Sequence, residues 1–319
     1  MTRMRRAAEL YYEQHLSQRE ISTILGCSFA TVSRLLAEAR EQRIVEIRVA
    51  HPVETAPELA VELRDAFGLR DALVVRGGNN RKQGFRDVVR TAAEFLPAII
   101  EDGVKVGVTW GETLSAVLHS MEPLSLKNVE VVQIAGSVDP ETPGESGPGS
   151  AIRLAGILGA RCRLIPAPAI VDSARTRELF LGQPQIRSAL KRAASPDVVI
   201  QGVGTLASGM SSLRRASFIS RDEREAAIAA GAVGHVAARI IGIYGEEVGD
   251  FSDRVIGIPL ADIRKAGWSV GIAASVEKAA AVLGGLRGGF YNCLIGDEAL
   301  VNEVLRLSRG APPGKMEAA

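Results

Sequence analysis

The spacing of hydrophobic residues changes twice along the chain, and those changes divide it. Over Arg3–Gln14 apolar side chains fall at helical intervals, with Ala7, Leu10 and Tyr11 on one side. Gln18–Leu25 reads as a second short helix and Ser28–Gln42 as a third. The run IVEIRVA (44–50) then alternates apolar and charged residues with period two, which predicts a strand. HPVETAP (51–57) holds two prolines and few apolar residues and predicts a linker.

Beyond it, strand-like runs alternate with helical stretches. DALVVRG is followed by RDVVRTAAEFLPAII, VKVGVTW by ETLSAVLHSM, and VEVVQIAG by SAIRLAGILGA. CRLIPAP, DVVIQGVG, RVIGIPL and WSVGIAAS read as further strands, and a helix is expected near Asp297–Leu307. Several of these strands are continuous apolar runs, the mark of parallel strands buried on both faces. The alternation predicts a doubly wound, mostly parallel α/β domain. The expected organisation is therefore a winged helix-turn-helix over 1–50, a linker over 51–57, an α/β domain over 58–310 and a disordered tail over 311–319.

Composition narrows the classes. A length of 319 residues suits two domains, and 46 % hydrophobic with 24 % charged residues suits a soluble globular protein. The net charge is +1, so any nucleic-acid surface must be local. Three cysteines (Cys27, Cys162 and Cys293), far apart and without a C-x-x-C pair, argue against a disulfide framework and against zinc, and fit a reducing compartment. The basic, amphipathic start lacks the apolar core of a signal peptide, and no stretch approaches the ~20 apolar residues of a membrane span. A soluble cytoplasmic protein is expected.

Around Gly26 the spacing becomes specific. Ile21 and Leu25 before it, and Cys27, Val32 and Leu35 after it, can close a small core between two helices crossing at a tight turn. Ser28 can cap the second helix, whose outward positions are Ser28, Phe29, Thr31, Ser33 and Arg34. A capped helix end carried to a groove is how helix-turn-helix proteins read DNA. Arg34 suits a guanine edge, Thr31 and Ser33 suit bases or phosphates, and Arg19 and Arg43 add charge. The alternative is a small helical bundle for protein contact.

In the large domain, Thr109-Trp110-Gly111-Glu112-Thr113 joins a buried strand to a helix and offers N–H groups and hydroxyls as an anion cradle. DVVIQGVGTLAS repeats the design with Gly202, Gly204 and Thr205. VVQIAGS, with Gly136, is a third candidate edge. Ligands bind at the carboxyl ends of such strands. Lys278, just past WSVGIAAS, can reach a phosphate or sugar hydroxyl, or be a solvated helix lysine. His235 lies on an Ala/Val-rich stretch that reads as helical, and its expected role is structural. The sequence carries no phosphate-loop, H-E-x-x-H or G-x-S-x-G motif.

The pieces SQREISTILGCSFATVSRLLAEAR, VGVTWGETL, VEVVQIAG, CRLIPAPAIVDS, VVIQGVGT, RVIGIPL and VEKAAAVLGGLRGGFYNCLIGDE, in this order, resemble the SorC/DeoR-type sugar-responsive transcriptional regulators. The resemblance implies an effector domain like those of the sugar-phosphate isomerase/deaminase superfamily, acting as a sensor, with no cofactor and no catalytic residue. It implies operator DNA, a sugar, sugar phosphate or polyol effector, and a homo-oligomer, dimer or tetramer, as partners. Carried over, Thr109, Gly111 and Thr113 form the phosphate loop, Gly202, Gly204 and Thr205 the second ligand loop, and Lys278 the ligand lysine. The chain departs from the family at Gly234-His235, Ile240-Ile241-Gly242, Ala274-Ser275 and Gly296-Asp297-Glu298, which implies an unusual ligand or a weakened response. The competing readings are a sugar-phosphate isomerase or deaminase, with Asp250, Asp253, Asp297 or Glu298 as substitute acids, and a protein-interaction adaptor.

Overall fold

The computed structural model describes residues 2–14, 16–42, 44–45, 53–77, 81–138, 146–206 and 218–310. They fall into two compact units that part between Pro52 and Val53.

The first unit is helical: α1 (Thr2–Ala8), continued by a π-helical turn over Glu9–Glu13, then α2 (Gln18–Leu25) and α3 (Phe29–Glu41). The Ser17 hydroxyl accepts the Glu20 N–H, and the Glu20 carboxylate accepts the Ser17 N–H. That reciprocal cap fixes the start of α2 and is worth about 1 kcal/mol. Gly26 ends α2 in the left-handed region, at φ 59° and ψ 44°, where a side chain would be strained. Ala7, Leu10, Ile21, Val32 and Leu36 form the core, with Leu25, Cys27 and Leu35 half-buried around it. The helical period puts Leu36 inside, one position beyond the expected Leu35. Of the expected strand over 44–50, Ile44 and Val45 form a bend, and the rest lies outside the described residues.

His51 and Pro52, from the expected linker, also lie outside the described residues. Val53–Pro57 packs on the second unit instead of standing clear. Thr55 bridges Val75, Ala56 is fully buried, and its N–H donates to the Val74 carbonyl at 2.8 Å. Pro57 opens α4 (Pro57–Phe67), because a proline that reads as a linker is equally suited to a first helical turn.

The second unit continues as β1 (Asp71–Val75), α5 (Arg81–Ile99), β2 (Lys105–Val108), α6 (Glu112–Ser120), β3 (Glu130–Gln133), α7 (Gly147–Leu158) and β4 (Arg161–Arg163). Then come α8 (Ala174–Gly182), α9 (Pro184–Ala193), β5 (Val198–Gly202), β6 (Gly204–Thr205), α10 (Arg221–Ala229), β7 (Ala232–Val236) and β8 (Arg239–Gly242). The chain closes with α11 (Leu260–Arg264), β9 (Trp268–Ala273), α12 (Ala279–Arg287), β10 (Cys293–Asp297) and α13 (Glu298–Gly310). Seven strands pair in the order β1-β10-β9-β5-β2-β3-β4, all parallel. β6, β7 and β8 form a small antiparallel sheet.

Strand parity builds two cores. Val131, Val198, Ile200 and Ile295 point to the α5–α6–α7 side. Val132, Val199 and Leu294 point to the side of α4, α12, α13 and the small sheet. Burial on both faces explains the continuous apolar runs. The chain moves from β2 out to β4, then returns on the other side of β2 as β5. The carboxyl ends of β2 and β5 therefore open at the reversal of strand order, where such folds bind ligands.

Two expectations need correction. RVIGIPL forms no strand; it is held by the isolated bridges Ala135–Gly257 and Ile170–Val255. His235 is on strand β7, not on a helix. The reason is the turn: Ala237 and Ala238 take φ of 46° and 73° to close the β7–β8 hairpin. Asn-Gly normally signals that geometry, whereas Ala-Ala reads as helical. The expected tail over 311–319 lies outside the described residues.

Candidate functional site

At the carboxyl edge of the large sheet lies a cavity of about 520 Å³. Arg81, Lys82 and Arg86 line it from the start of α5, Glu112 and Thr113 from the start of α6, and Ser275 and Lys278 from the segment after β9. Gly111 precedes α6 at φ 121° and ψ 165°, a backbone reserved for glycine, and no side chain caps this helix. A helix start of this kind can take an anion. Thr109 and Trp110 are buried behind it.

The β5 exit closes on the same place. Gly202 sits where an added Cβ would lie 3.7 Å from Thr113. Gly204 backs directly onto the His235 ring, leaving no room for a side chain. The Thr205 hydroxyl donates to the Glu277 carbonyl at 3.5 Å. Thr109, Trp110, Gly111, Glu112, Thr113, Gly202, Gly204, Thr205 and Lys278 therefore converge. Gly136 does not: its backbone threads against Pro168 and Ala169, and its N–H donates to the Ile256 carbonyl at 2.8 Å.

What the sequence concealed about His235 is where it sits. Its ring stacks on Trp110, with centroids 6.4 Å apart and planes 18° from parallel. Burial, and then the charge of Lys278, push its pKa down to about 4, so it is a neutral imidazole. The cations of Arg81, Lys82 and Arg86 were also missed, because the expected helix began at Arg86 whereas α5 begins at Arg81. The pattern RKQGFR at a helix start was the available signal.

The segment carrying Lys278 is tied to Asp297 and Arg81 as well as to Thr205. Asp297 accepts the Ser275 N–H with one oxygen and the Leu300 N–H with the other, both at 2.8 Å. Glu277 pairs with Arg81 at 2.8 Å. Its carboxyl is held below the usual range by the Ser275 hydroxyl first, with its own backbone N–H and Arg81 adding to it. Arg287 leaves the site alone: it bonds the Ile243 and Ser308 carbonyls at 3.4 Å and lies over the Tyr244 ring.

In the first unit, the Ser28 hydroxyl accepts the Thr31 N–H at 3.2 Å and lies 2.9 Å from the Thr31 hydroxyl. Ser28 and Thr31 thus share the cap of α3. Phe29, Ser33 and Arg34 form its exposed strip, and Arg34 is 3.9 Å from Glu38. Arg19 is exposed on α2, and Arg43 lies outside the described residues. Arg5 and Arg6 both engage Glu9, at 3.0 and 3.3 Å, which offsets part of their charge.

Residues 51–306 match a family described as "Putative sugar-binding domain". The deoxyribonucleoside regulator of Bacillus subtilis is 31 % identical over 304 residues, covering 93 % of this chain and 96 % of that protein. The transcriptional regulator LsrR of an Enterobacter species is 28 % identical over 309 residues, covering 95 % of this chain and 92 % of that one. The full-length sorbitol operon regulator SorC of Klebsiella pneumoniae has the same fold, with a TM-score of 0.72 at 26 % identity, over 95 % of this chain and 98 % of that chain. Likeness in sequence and in fold along nearly the whole length has one reading: the chain belongs to the SorC/DeoR-type sugar-responsive transcriptional regulators.

Proposed function

We propose that the chain regulates a carbohydrate-catabolic operon in the cytoplasm, as a dimer or tetramer whose operator affinity is set by a phosphorylated sugar or polyol. The observation that carries this reading is the cavity at the sheet's carboxyl edge. It joins the uncapped start of α6 to Lys278, which is chemistry for a phosphate. The capped helix α3 supplies the operator-reading element. A coupling of about 1–3 kcal/mol between effector and operator would change DNA affinity about 5–150-fold.

The chain acts as a sensor and leaves the sugar unchanged. Asp297 spends both oxygens on backbone N–H groups, and Asp250 and Asp253 are exposed. The test is to recover bound DNA fragments from the source genome, then titrate the complex with sugar phosphates. Inverted half-sites beside carbohydrate genes, released or tightened by one effector without turnover, support the proposal. Turnover of that effector would replace it with the isomerase/deaminase reading.

A further inference from the structure

We infer that Phe29 reads the 5-methyl group of a thymine in each operator half-site. The inference rests on α3 being the operator-reading helix. Phe29 is the first residue of α3 and is 53 % exposed. The first unit has other large apolar side chains to fill its core: Tyr11, Tyr12, Leu25 and Leu35 all pack there, while Phe29 joins none of the apolar clusters among the described residues. Ile24 of α2 is exposed too, at 55 %; what singles out Phe29 is its place at the first turn of α3, the end that a reading helix carries to DNA.

Phe29 and Ser33 are one helical turn apart, as are Ala30 and Arg34, and all four are exposed. Val32, Leu36 and Ala39 occupy the buried side. The Ser28 hydroxyl caps the helix and lies against that of Thr31. Beside them the tip offers a base edge an aromatic ring. The N-terminal residues of a reading helix enter the major groove. There the thymine methyl is the apolar group on offer, and phenylalanine is among the side chains that contact it.

The test uses the full chain and the operator it selects from random DNA. Each thymine is replaced singly by deoxyuridine, which removes only the methyl. At one symmetry-related position the wild type should lose about fourfold in affinity, the worth of one buried methyl. Phe29→Ala should bind more weakly and be indifferent to that replacement, while Phe29→Leu should keep part of the sensitivity. A selected operator with no methyl-sensitive thymine would overturn the inference and leave the regulator reading standing. So would equal sensitivity in wild type and Phe29→Ala, or a Phe29→Ala effect confined to oligomeric state. If no sequence is selected at all, the operator-reading role of α3 falls and the inference falls with it.

Discussion

Acid should loosen the second unit through one residue, His235. Its pKa is about 4 in the fold against 6.5 for an unburied imidazole, chiefly because the ring is buried and secondarily because Lys278 is near. The unfolded chain therefore takes up a proton that the folded chain refuses. Stability from this group is fully present above 6.5 and is lost as pH falls toward 4. Between about pH 7 and about pH 5 the loss amounts to about 2 kcal/mol, from the size of the shift and 1.36 kcal/mol per unit. Urea denaturation followed by tryptophan fluorescence can isolate it. Both tryptophans, Trp110 and Trp268, lie in the second unit, so the signal ignores the helical head. The comparison is with His235→Gln, which cannot titrate; other titrating groups cancel in the difference. The wild type should lose about 2 kcal/mol more than the variant across that interval. Parallel losses in the two proteins would refute a buried neutral imidazole at this position.

The other expectations concern the two functional faces. Gly204→Ala drives a methyl into the His235 ring, which Trp110 backs, and should destabilise the second unit by about 1–3 kcal/mol in urea. Lys278→Ala should weaken binding of a sugar phosphate about tenfold or more by calorimetry, and leave effector-free operator affinity unchanged. Ser28→Ala removes the α3 cap and should cost the first unit about 1 kcal/mol, read by circular dichroism on heating. Arg34→Ala should relax the preference for one G·C pair in selected operators by about 1–3 kcal/mol.

Much of the fold was legible because strand and helix signals agreed with burial. Val198–Ile200 is apolar without interruption, and the strand is covered on both faces. The helix Gln18–Leu25 shows its capping box and its terminal glycine in the sequence. Legibility failed where local chemistry pointed elsewhere. The Ala237-Ala238 turn hid a hairpin, and with it the fact that His235 faces Trp110. β10 escaped notice because its run follows a glycine-rich stretch that reads as a turn. Gly136 looked like its counterparts at the other strand ends, and only the path of Pro168 beside it shows that its backbone is packed against that segment. The cavity's cations required knowing where α5 begins, a boundary that periodicity leaves loose.

The same geometry bears on why the proposed sensor would bind a sugar without transforming it. Isomerases and deaminases need a base whose acceptor atom is open to the substrate. Three of the acids and bases around Lys278 are already engaged. Asp297 uses both oxygens to tie Ser275 and Leu300 in place. Glu277 is engaged by Ser275 and Arg81, and those contacts hold it ionised. His235 is neutral, but it is buried against Trp110 and Gly204, so protonating it carries the burial cost that lowers its pKa. Ser275 itself sits at φ 99°, a conformation that costs about 1–3 kcal/mol unless its neighbours impose it. The same commitments fix Ser275 and tie down the segment that carries Lys278. In the proposed sensor, a site stiffened in this way would turn binding energy into a choice between arrangements of the chain, because an effector shifts an equilibrium only by its unequal affinity for the two states.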